Sequence, residues 1–525
     1  MEQFELIAKT FQGLEEVLAQ ELTELGANDI QIGRRMVSFS GDKEMMYRAN
    51  FCLRTAVRIL KPIKHFQAND ADDVYNAVKA INWADYLDLD TTFSVDSVVY
   101  SQEFRHSKFV AYKVKDAIAD YFRETTGKRP NIRITNPDLR LNIHIAEDKC
   151  TLSLDSSGES LHLRGYRTGS VEAPINEVLA AGIIKLSGWQ FDKDLIDPFC
   201  GSGTIAIEAA LMARNIYPGV FRKSFGFEKW KDFDSALLDR IYNDDSAERP
   251  FEHKIYGYDL NVRAVEVATA NAKSAGVADC IDFAQRDIKH FEQPAEESLM
   301  ITNPPYGERL VSPDLLGLYR TIGERLKHAF TGGEAWIISY KEECFDEIGL
   351  KASIKIPLYN GALECELRKY QLFSGRLNDF RASGGEVKTA EEKEKMGEKR
   401  RFKLNRGEFN GRFADQRPSR DNDDNGDYDP QYAALRNKHF EFERLMARKM
   451  RSQTAERGPH REHGDRESRN FGRKSGDFGG KFERREGRFD RGEAKFGNRD
   501  SRGFKGSKRG DRPSGGKWNS RGHRD

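Results

Sequence analysis

The 525-residue chain is poor in cysteine: only Cys52, Cys150, Cys200, Cys280, Cys344 and Cys365 are present, and no two form a C-x-x-C pair. Scattered cysteines of this kind argue against a structural zinc site and against a disulfide framework, so no metal is expected. Long apolar runs are missing too. None reaches the roughly 20 residues that a bilayer-spanning helix needs. The opening MEQFELIAKT lacks the basic-then-apolar pattern of a secretory signal. These absences predict a cytoplasmic chain without a membrane partner. Net charge is also nearly absent, at +1.

That small net charge conceals two opposed halves. Residues 1–375 carry 45 Lys and Arg against 57 Asp and Glu, whereas residues 376–525 carry 40 against 27. A basic tail on an acidic body points to a polyanionic partner, or to a tail that folds back on the body. Apolar periodicity stops near Arg376, and Gly, Arg, Lys, Asp and Asn take over. Single aromatics recur, as in Phe471-Gly472-Arg473 and Lys495-Phe496-Gly497. Such a segment buries too little apolar surface to offset the entropy of ordering and is expected to be disordered. One helix is expected within it, around Tyr432–Arg451.

The body alternates strands and helices. Phe4, Leu6 and Ile7 open a strand, a helix starts at Gly13–Leu18 and stops at Gly26, and Val37–Phe39 is strand-like. A second unit has helices near Asp73–Ile81 and Phe109–Phe122, and strands at Phe93–Val99, Leu141–Ile145 and Cys150–Leu154. Neither unit holds an obvious nucleophile, metal cluster or phosphate loop, so both read as accessory binding units. From about residue 170 buried-looking strands alternate with helices, which predicts a parallel, doubly wound sheet. Its strands are Leu195-Ile196, Ile255–Tyr258, Ile281–Phe283, Leu299–Thr302 and Trp336–Ser339. Its helices fall near Pro174–Leu186, Ile205–Ala213, Val262–Ala275 and Leu315–Phe330, and an aromatic, charged insertion interrupts at 214–252.

Chemistry concentrates at the ends of these strands, where open α/β sheets place their ligands. Asn303-Pro304-Pro305-Tyr306 directly follows Leu299–Thr302. The Asn303 side-chain oxygen accepts, and the Pro304 carbonyl accepts without a competing N–H. Two fixed acceptors suit one –NH₂ group. Holding both N–H bonds out of the base plane localises the nitrogen lone pair, which can then attack a methyl sulfonium in line. Tyr306 offers a flat face for a base. The bland alternative is a Pro-rich turn that caps a strand, with Tyr306 as packing.

Asp197-Pro198-Phe199-Cys200-Gly201-Ser202-Gly203-Thr204 follows Leu195-Ile196 and precedes a helix. Glycines after a first strand let a ligand approach the backbone closely. The third glycine of a dinucleotide loop and the G-K-S/T of a phosphate loop are lacking, so NAD and ATP are poor fits. An acid before the glycines repels a pyrophosphate but suits the ammonium of a methionine moiety. Asp259, after Ile255–Tyr258, is placed to accept from ribose hydroxyls. Asp287 ends a third strand, where it can meet an adenine amine or simply cap a helix. A glycine loop, a ribose acid, an adenine acid and an amine-gripping turn, in that order, predict S-adenosylmethionine as cofactor.

Asp197–Thr204 and Asn303–Arg309 together resemble the class I methyltransferases that modify exocyclic amines. Leu154–Arg167 resembles the junction after a THUMP domain, with Asn136-Pro137-Asp138 in that domain's late strand region. Pro174–Glu177 resembles the family's helix before the cofactor loop, and Pro218-Gly219 through Trp230 its insertion. The nearest group is the bacterial 23S rRNA guanine-N2 methyltransferases. The resemblance implies a ferredoxin-like unit at 1–60, a THUMP RNA-binding domain at 61–165 and a Rossmann-like catalytic domain at 166–375, followed by the basic tail at 376–525. It implies methylation of guanine N2 in 23S rRNA or a ribosome assembly intermediate. Alternatives are a THUMP-type tRNA guanine-N2 enzyme, a DNA or RNA adenine-N6 enzyme, and a non-catalytic RNA chaperone. Some members carry a second methyltransferase module where this chain has its tail.

Overall fold

The computed structural model describes residues 2–104, 106–295, 297–307 and 314–373. The expected tail, with its helix around Tyr432–Arg451, and Glu308-Arg309 of the amine-gripping turn lie outside these residues.

Eight strands build the first sheet: β1 (Phe4–Lys9), β2 (Asn28–Gly33), β3 (Met36–Gly41), β4 (Arg58–Gln67), β5 (Thr92–Tyr100), β6 (Asn131–Ile132), β7 (Leu139–Ala146) and β8 (Lys149–Asp155). Their order is β2-β3-β1-β4-β8-β7-β5-β6. Helices α1 (Glu15–Leu25), α2 (Lys43–Cys52), α3 (Ala71–Lys79) and α4 (Ser107–Thr126) complete this half. Helix α1 has Glu15 and Glu16 in its first turn, where acids complement the helix dipole, and Gly26 ends it in the left-handed region at φ 88°.

The sequence divides this half at residue 60, but the sheet runs through that point. Strand β4 pairs with β1 at Arg58–Leu60 and with β8 at Leu60–Gln67, antiparallel on both sides. One apolar core follows from that continuity. Leu6, Leu18, Phe39 and Phe51 belong to the same buried cluster as Val78, Val114, Ile143 and Leu152. Strand β4 is hard to see in sequence because Pro62 and two lysines, Lys61 and Lys64, interrupt its apolar pattern. The register shifts between Pro62 and Lys64, an irregularity where a residue without an N–H is tolerated.

The second sheet holds β9 (Asp194–Asp197), β10 (Ile255–Asp259), β11 (Ile281–Gln285), β12 (Ser298–Thr302), β13 (Glu334–Ser339), β14 (Ile354–Asn360) and β15 (Leu363–Gln371). Their order is β11-β10-β9-β12-β13-β15-β14. Strands β9 to β13 are parallel as expected, but β15 runs antiparallel to both β13 and β14. The sheet is therefore mixed. The closing hairpin turns at Gly361, φ 65°, and its Lys, Glu and Arg content hides it from a search for buried strands. Around the sheet lie α5 (Glu177–Ser187), α6 (Thr204–Ala213), α7 (Ser235–Tyr242), α8 (Val262–Ser274), α9 (Leu315–His328) and α10 (Glu342–Ile348). Every residue of α6 is buried, as is every residue of β12. A helix buried all round is a core helix, and α6 carries the glycine loop on its N-terminus.

Candidate functional site

Strand β9 is the topological switch point. The chain proceeds from β9 to β10 and β11 on one side, then crosses to β12 on the other. Ligands of open α/β sheets bind in the crevice at such a reversal, beyond the carboxyl ends of the strands. The sequence candidates arrive there from three adjacent strands: Asp197 ends β9, Asp259 ends β10, and Asn303 follows β12.

Asp197 is enclosed at the carboxyl end of β9. The residue is 1 % exposed. Oδ1 accepts from the Thr302 hydroxyl at 2.7 Å and from the Phe199 N–H at 3.2 Å, tying β12 and the glycine loop to β9. Burial pushes this carboxyl up from 3.8 to about 7, with the nearby Asp259 charge acting in the same direction and the two hydrogen bonds opposing.

The loop itself is held by its neighbours. Cys200 N–H donates to the Tyr258 carbonyl at 2.8 Å, Gly203 N–H to the Cys200 carbonyl at 2.8 Å, and Gly201 N–H to Asp259 Oδ2 at 3.0 Å. The Cys200 thiol is buried, and burial raises its pKa, so it is the residue's backbone that holds the loop. Gly201 and Gly203 have φ of 54° and 82°, values that L side chains rarely adopt. At Gly203 a Cβ would meet the Ala268 Cβ and Phe283 Cζ, both at 3.0 Å. At Gly201 it would touch only the Val171 side chain, at 3.6 Å. Backbone conformation at both positions, and tight packing of the loop against α8 and β11 at Gly203, account for the glycines.

Asp259 also accepts the Asn261 N–H at 2.8 Å through Oδ1, so each of its oxygens already holds one bond and keeps a lone pair. Asp287 caps a short 3₁₀ turn by accepting the Lys289 N–H at 3.0 Å. It sits beyond the end of β11, the strand that pairs with the one Asp259 ends.

The Asn303–Tyr306 turn departs from expectation at Tyr306. The ring is enclosed in the catalytic core, 8 % exposed, with its centroid 6.0 Å from that of Tyr340 at 64°. The Tyr306 hydroxyl donates to Asn303 Oδ1. Tyr306 therefore packs beneath the turn and orients the Asn303 amide, and its face is not presented to a base. Pro304 is buried, while Asn303 and Pro305 are half-buried.

Sequence reasoning missed the residues that brace the glycine loop. Arg167 donates to Ser202 Oγ at 2.7 Å, to Thr204 Oγ1 at 3.0 Å, and twice to Glu177 Oε1 at 2.8 and 2.7 Å. Asn271, fully buried on α8, donates to the Ser202 and Gly169 carbonyls and accepts from the Thr168 and Gly169 N–H groups. A buried asparagine within a helix is a signal in retrospect, because it must find partners. Behind the loop, Glu208 of α6 is fully buried, bonds the Tyr166 hydroxyl at 3.0 Å and pairs with Arg164 at 3.4 Å. Among the described residues no group of His, Cys, Asp and Glu is placed to hold a metal, and no helix is long and apolar enough to cross a membrane. All six cysteines are free.

Three family descriptions match the chain in series: an RlmL ferredoxin-like domain at residues 5–60, a THUMP domain at 68–155 and an RMKL-like methyltransferase domain at 164–369. The solved structure of SMU.472, described as a putative methyltransferase complexed with SAH, is 33 % identical and aligns with a TM-score of 0.64 over 72 % of this chain and 100 % of that one. The chain belongs to the THUMP-containing family of RMKL-like methyltransferases. A solved structure from Listeria monocytogenes str. 4b F2365, of a predicted N6-adenine-specific DNA methylase, is 32 % identical with a TM-score of 0.64, covering 71 % of this chain and 97 % of that one. Ribosomal RNA large subunit methyltransferase K/L of Photobacterium profundum is 40 % identical over 379 residues, 71 % of this chain and 53 % of that protein. The chain thus spans about half the length of the curated relatives it matches.

Proposed function

We propose that this chain transfers a methyl group from S-adenosylmethionine to guanine N2 of a nucleotide in large-subunit ribosomal RNA. The carrying observation is the convergence of Asp197, the Gly201–Gly203 loop, Asp259 and Asn303 at the ends of three adjacent strands around a switch point. The residues present fit the cofactor. The loop's left-handed glycines hold its turn over the end of β9, Asp259 keeps lone pairs for ribose hydroxyls, and Asp197, once ionised, offers a carboxylate to an ammonium. Asp287 takes the base amine, and Cys200, Ser202 and Thr204 complete the cofactor pocket.

When bound, S-adenosylmethionine supplies an electrophilic methyl. The chain's part is to hold the acceptor. Asn303 Oδ1, with one lone pair engaged by Tyr306, has a second for an amine N–H. The Pro304 carbonyl takes the other, and Pro305 stiffens the turn. Fixing both N–H bonds raises the density of the nitrogen lone pair, and the methylated nitrogen, now strongly acidic, sheds its extra proton to solvent, so catalysis is positional and electrostatic without a strong general base.

RNA is the partner that a THUMP domain suits, and the name of the Photobacterium relative directs the choice to the large ribosomal subunit. An enzyme of ribosomal RNA works in the cytoplasm. We assign the ferredoxin-like unit to 1–60, the THUMP domain to 61–165, the catalytic domain to 166–375 and a basic RNA arm to 376–525. The Listeria protein's name supports a second reading, adenine N6, because the same pair of acceptors grips that amine. Mass spectrometry of ribosomal RNA nucleosides from cells with and without the gene separates the two. Loss of N2-methylguanosine is expected, whereas loss of N6-methyladenosine, or of neither, overturns the guanine reading.

A further inference from the structure

We infer that the Arg167–Glu177 pair presets the Ser202 and Thr204 hydroxyls as donors to the carboxylate of the cofactor's amino-acid arm. The inference rests on the cofactor reading above and assigns a part to four side chains. A guanidinium has donors and no acceptor. Its bonds to Ser202 Oγ and Thr204 Oγ1 therefore make both hydroxyl oxygens acceptors. Each hydroxyl still has one hydrogen to donate, and no protein acceptor among the described residues receives either. The two residues are only 3 % and 2 % exposed. Buried polar hydrogens rarely stay unpaired, so a ligand acceptor is the missing partner.

The chemistry of that acceptor follows from its surroundings. Thr204 is the first residue of α6, a ten-residue helix whose N-terminus carries partial positive charge. An anion is favoured there. On S-adenosylmethionine the ammonium and the sulfonium accept nothing, and the carboxylate is the anionic acceptor.

Glu177 has a separate role. It takes the Nε and one Nη2 bond of Arg167, which fixes the guanidinium plane and neutralises its charge. Arg167 is thus a positioning residue that acts through the two hydroxyls. Asn271 holds the Ser202 carbonyl at 3.0 Å and the Gly169 carbonyl at 3.1 Å, so the backbone beside Arg167 and at Ser202 is fixed from α8.

The test compares two ligands on the full chain by calorimetry. S-adenosylhomocysteine carries the carboxylate, and 5′-methylthioadenosine has the same nucleoside and sulfur without the amino-acid arm. Arg167→Met should weaken S-adenosylhomocysteine roughly tenfold or more and leave methylthioadenosine within about twofold. A Ser202→Ala/Thr204→Val double variant should show the same selective loss, and Arg167→Met should add little on top of it. The double variant alone decides the matter if Arg167→Met fails to fold. Equal losses for both ligands would mean that these residues only shape the loop, and unchanged S-adenosylhomocysteine affinity would mean that the hydroxyls donate elsewhere. Either result overturns the inference while leaving the cofactor reading intact. A wild-type chain that binds neither ligand overturns both.

Discussion

Replacing Asp197 by asparagine tests what the buried carboxylate costs and what it is for. Its pKa is pushed from 3.8 to about 7, principally by burial. A displacement of that size corresponds to on the order of 4 kcal/mol between folded and unfolded states. The native state holds this proton more tightly than the unfolded chain does. The stabilising contribution is therefore fully present below the ordinary carboxylate range, declines as pH rises and is gone above about 7. Asparagine carries no charge at any pH. Its Oδ1 can keep the Thr302 and Phe199 bonds, but its Nδ2 puts two N–H donors into a buried position, at a cost of roughly 1–3 kcal/mol where they stay unpaired. Asp197→Asn should thus be less stable than wild type at pH 4 and equally or more stable at pH 8. Urea unfolding of both chains across that range, followed by tryptophan fluorescence with Trp189 and Trp336 reporting on the catalytic core, measures the difference. A difference that does not change with pH refutes the reasoning. The function of the carboxylate is read in the same samples. If Asp197 accepts the ligand's ammonium, wild-type affinity for S-adenosylhomocysteine rises between pH 6 and 8, and the asparagine variant loses that rise.

Asn303→Ala should nearly abolish methyl transfer while cofactor affinity stays within a few-fold, because the contact proposed for it is to the acceptor amine; retained turnover in a single-turnover assay removes Asn303 from the site. Tyr306→Phe should fold normally yet turn over more slowly, since only the hydroxyl that orients Asn303 is lost. Tyr306→Ala should also lose roughly 3–5 kcal/mol of stability by emptying a buried position, and equal melting temperatures for the two variants would contradict the enclosed ring. Truncation after about Phe373 removes the basic tail and should leave the same nucleotide methylated, with weaker RNA binding and a shallower salt dependence. An unchanged salt slope means that the tail is no RNA arm.

The elements legible in sequence are those whose cause is local. Strand β12 reads as four residues, three of them apolar, before a stiff Pro-Pro turn, and α1 declares its end at Gly26. What stays hidden depends on partners far along the chain. Strand β4 is a strand because β1 and β8 flank it, not because of its own pattern. Arg167 looks like a solvated arginine until the fold brings Ser202 and Glu177 to it. Tyr306 misleads for a related reason. Whether an aromatic beside a turn faces solvent or core depends on β13, where Tyr340 follows Ser339, and no periodicity in the turn reports that. Asp197 is legible as a strand end, but its burial follows from the glycine loop and β12 closing over it.

On the proposed function, the Asn303–Pro304 turn recognises little beyond an –NH₂ group, so the choice of one nucleotide must come from elsewhere in the chain. The structure supplies a means in the interlock between its two halves. Leu14, at the start of α1, belongs to the catalytic core cluster, and a Cβ on Gly13 would lie 2.6 Å from the Pro357 carbonyl. Arg54 donates to the Ile216 carbonyl at 2.8 Å, and Arg164, on the segment joining the halves, pairs with Glu208 directly behind the glycine loop. These contacts bury charge at the junction. Removing one partner of such a pair leaves the other uncompensated, so the junction resists sliding or swinging open. If RNA binds the first sheet as proposed, a fixed junction makes those contacts a ruler: phosphate contacts carry little sequence information, but they position the nucleic acid. On a rigid body they determine which amine reaches Asn303. Site selection on this reading is a distance, and loosening the junction at Arg164 should blur the choice of nucleotide before it slows transfer to it. Sequencing-based mapping of methylated positions after reaction with an Arg164→Met variant measures this, and an unchanged single position with slower transfer would refute the ruler.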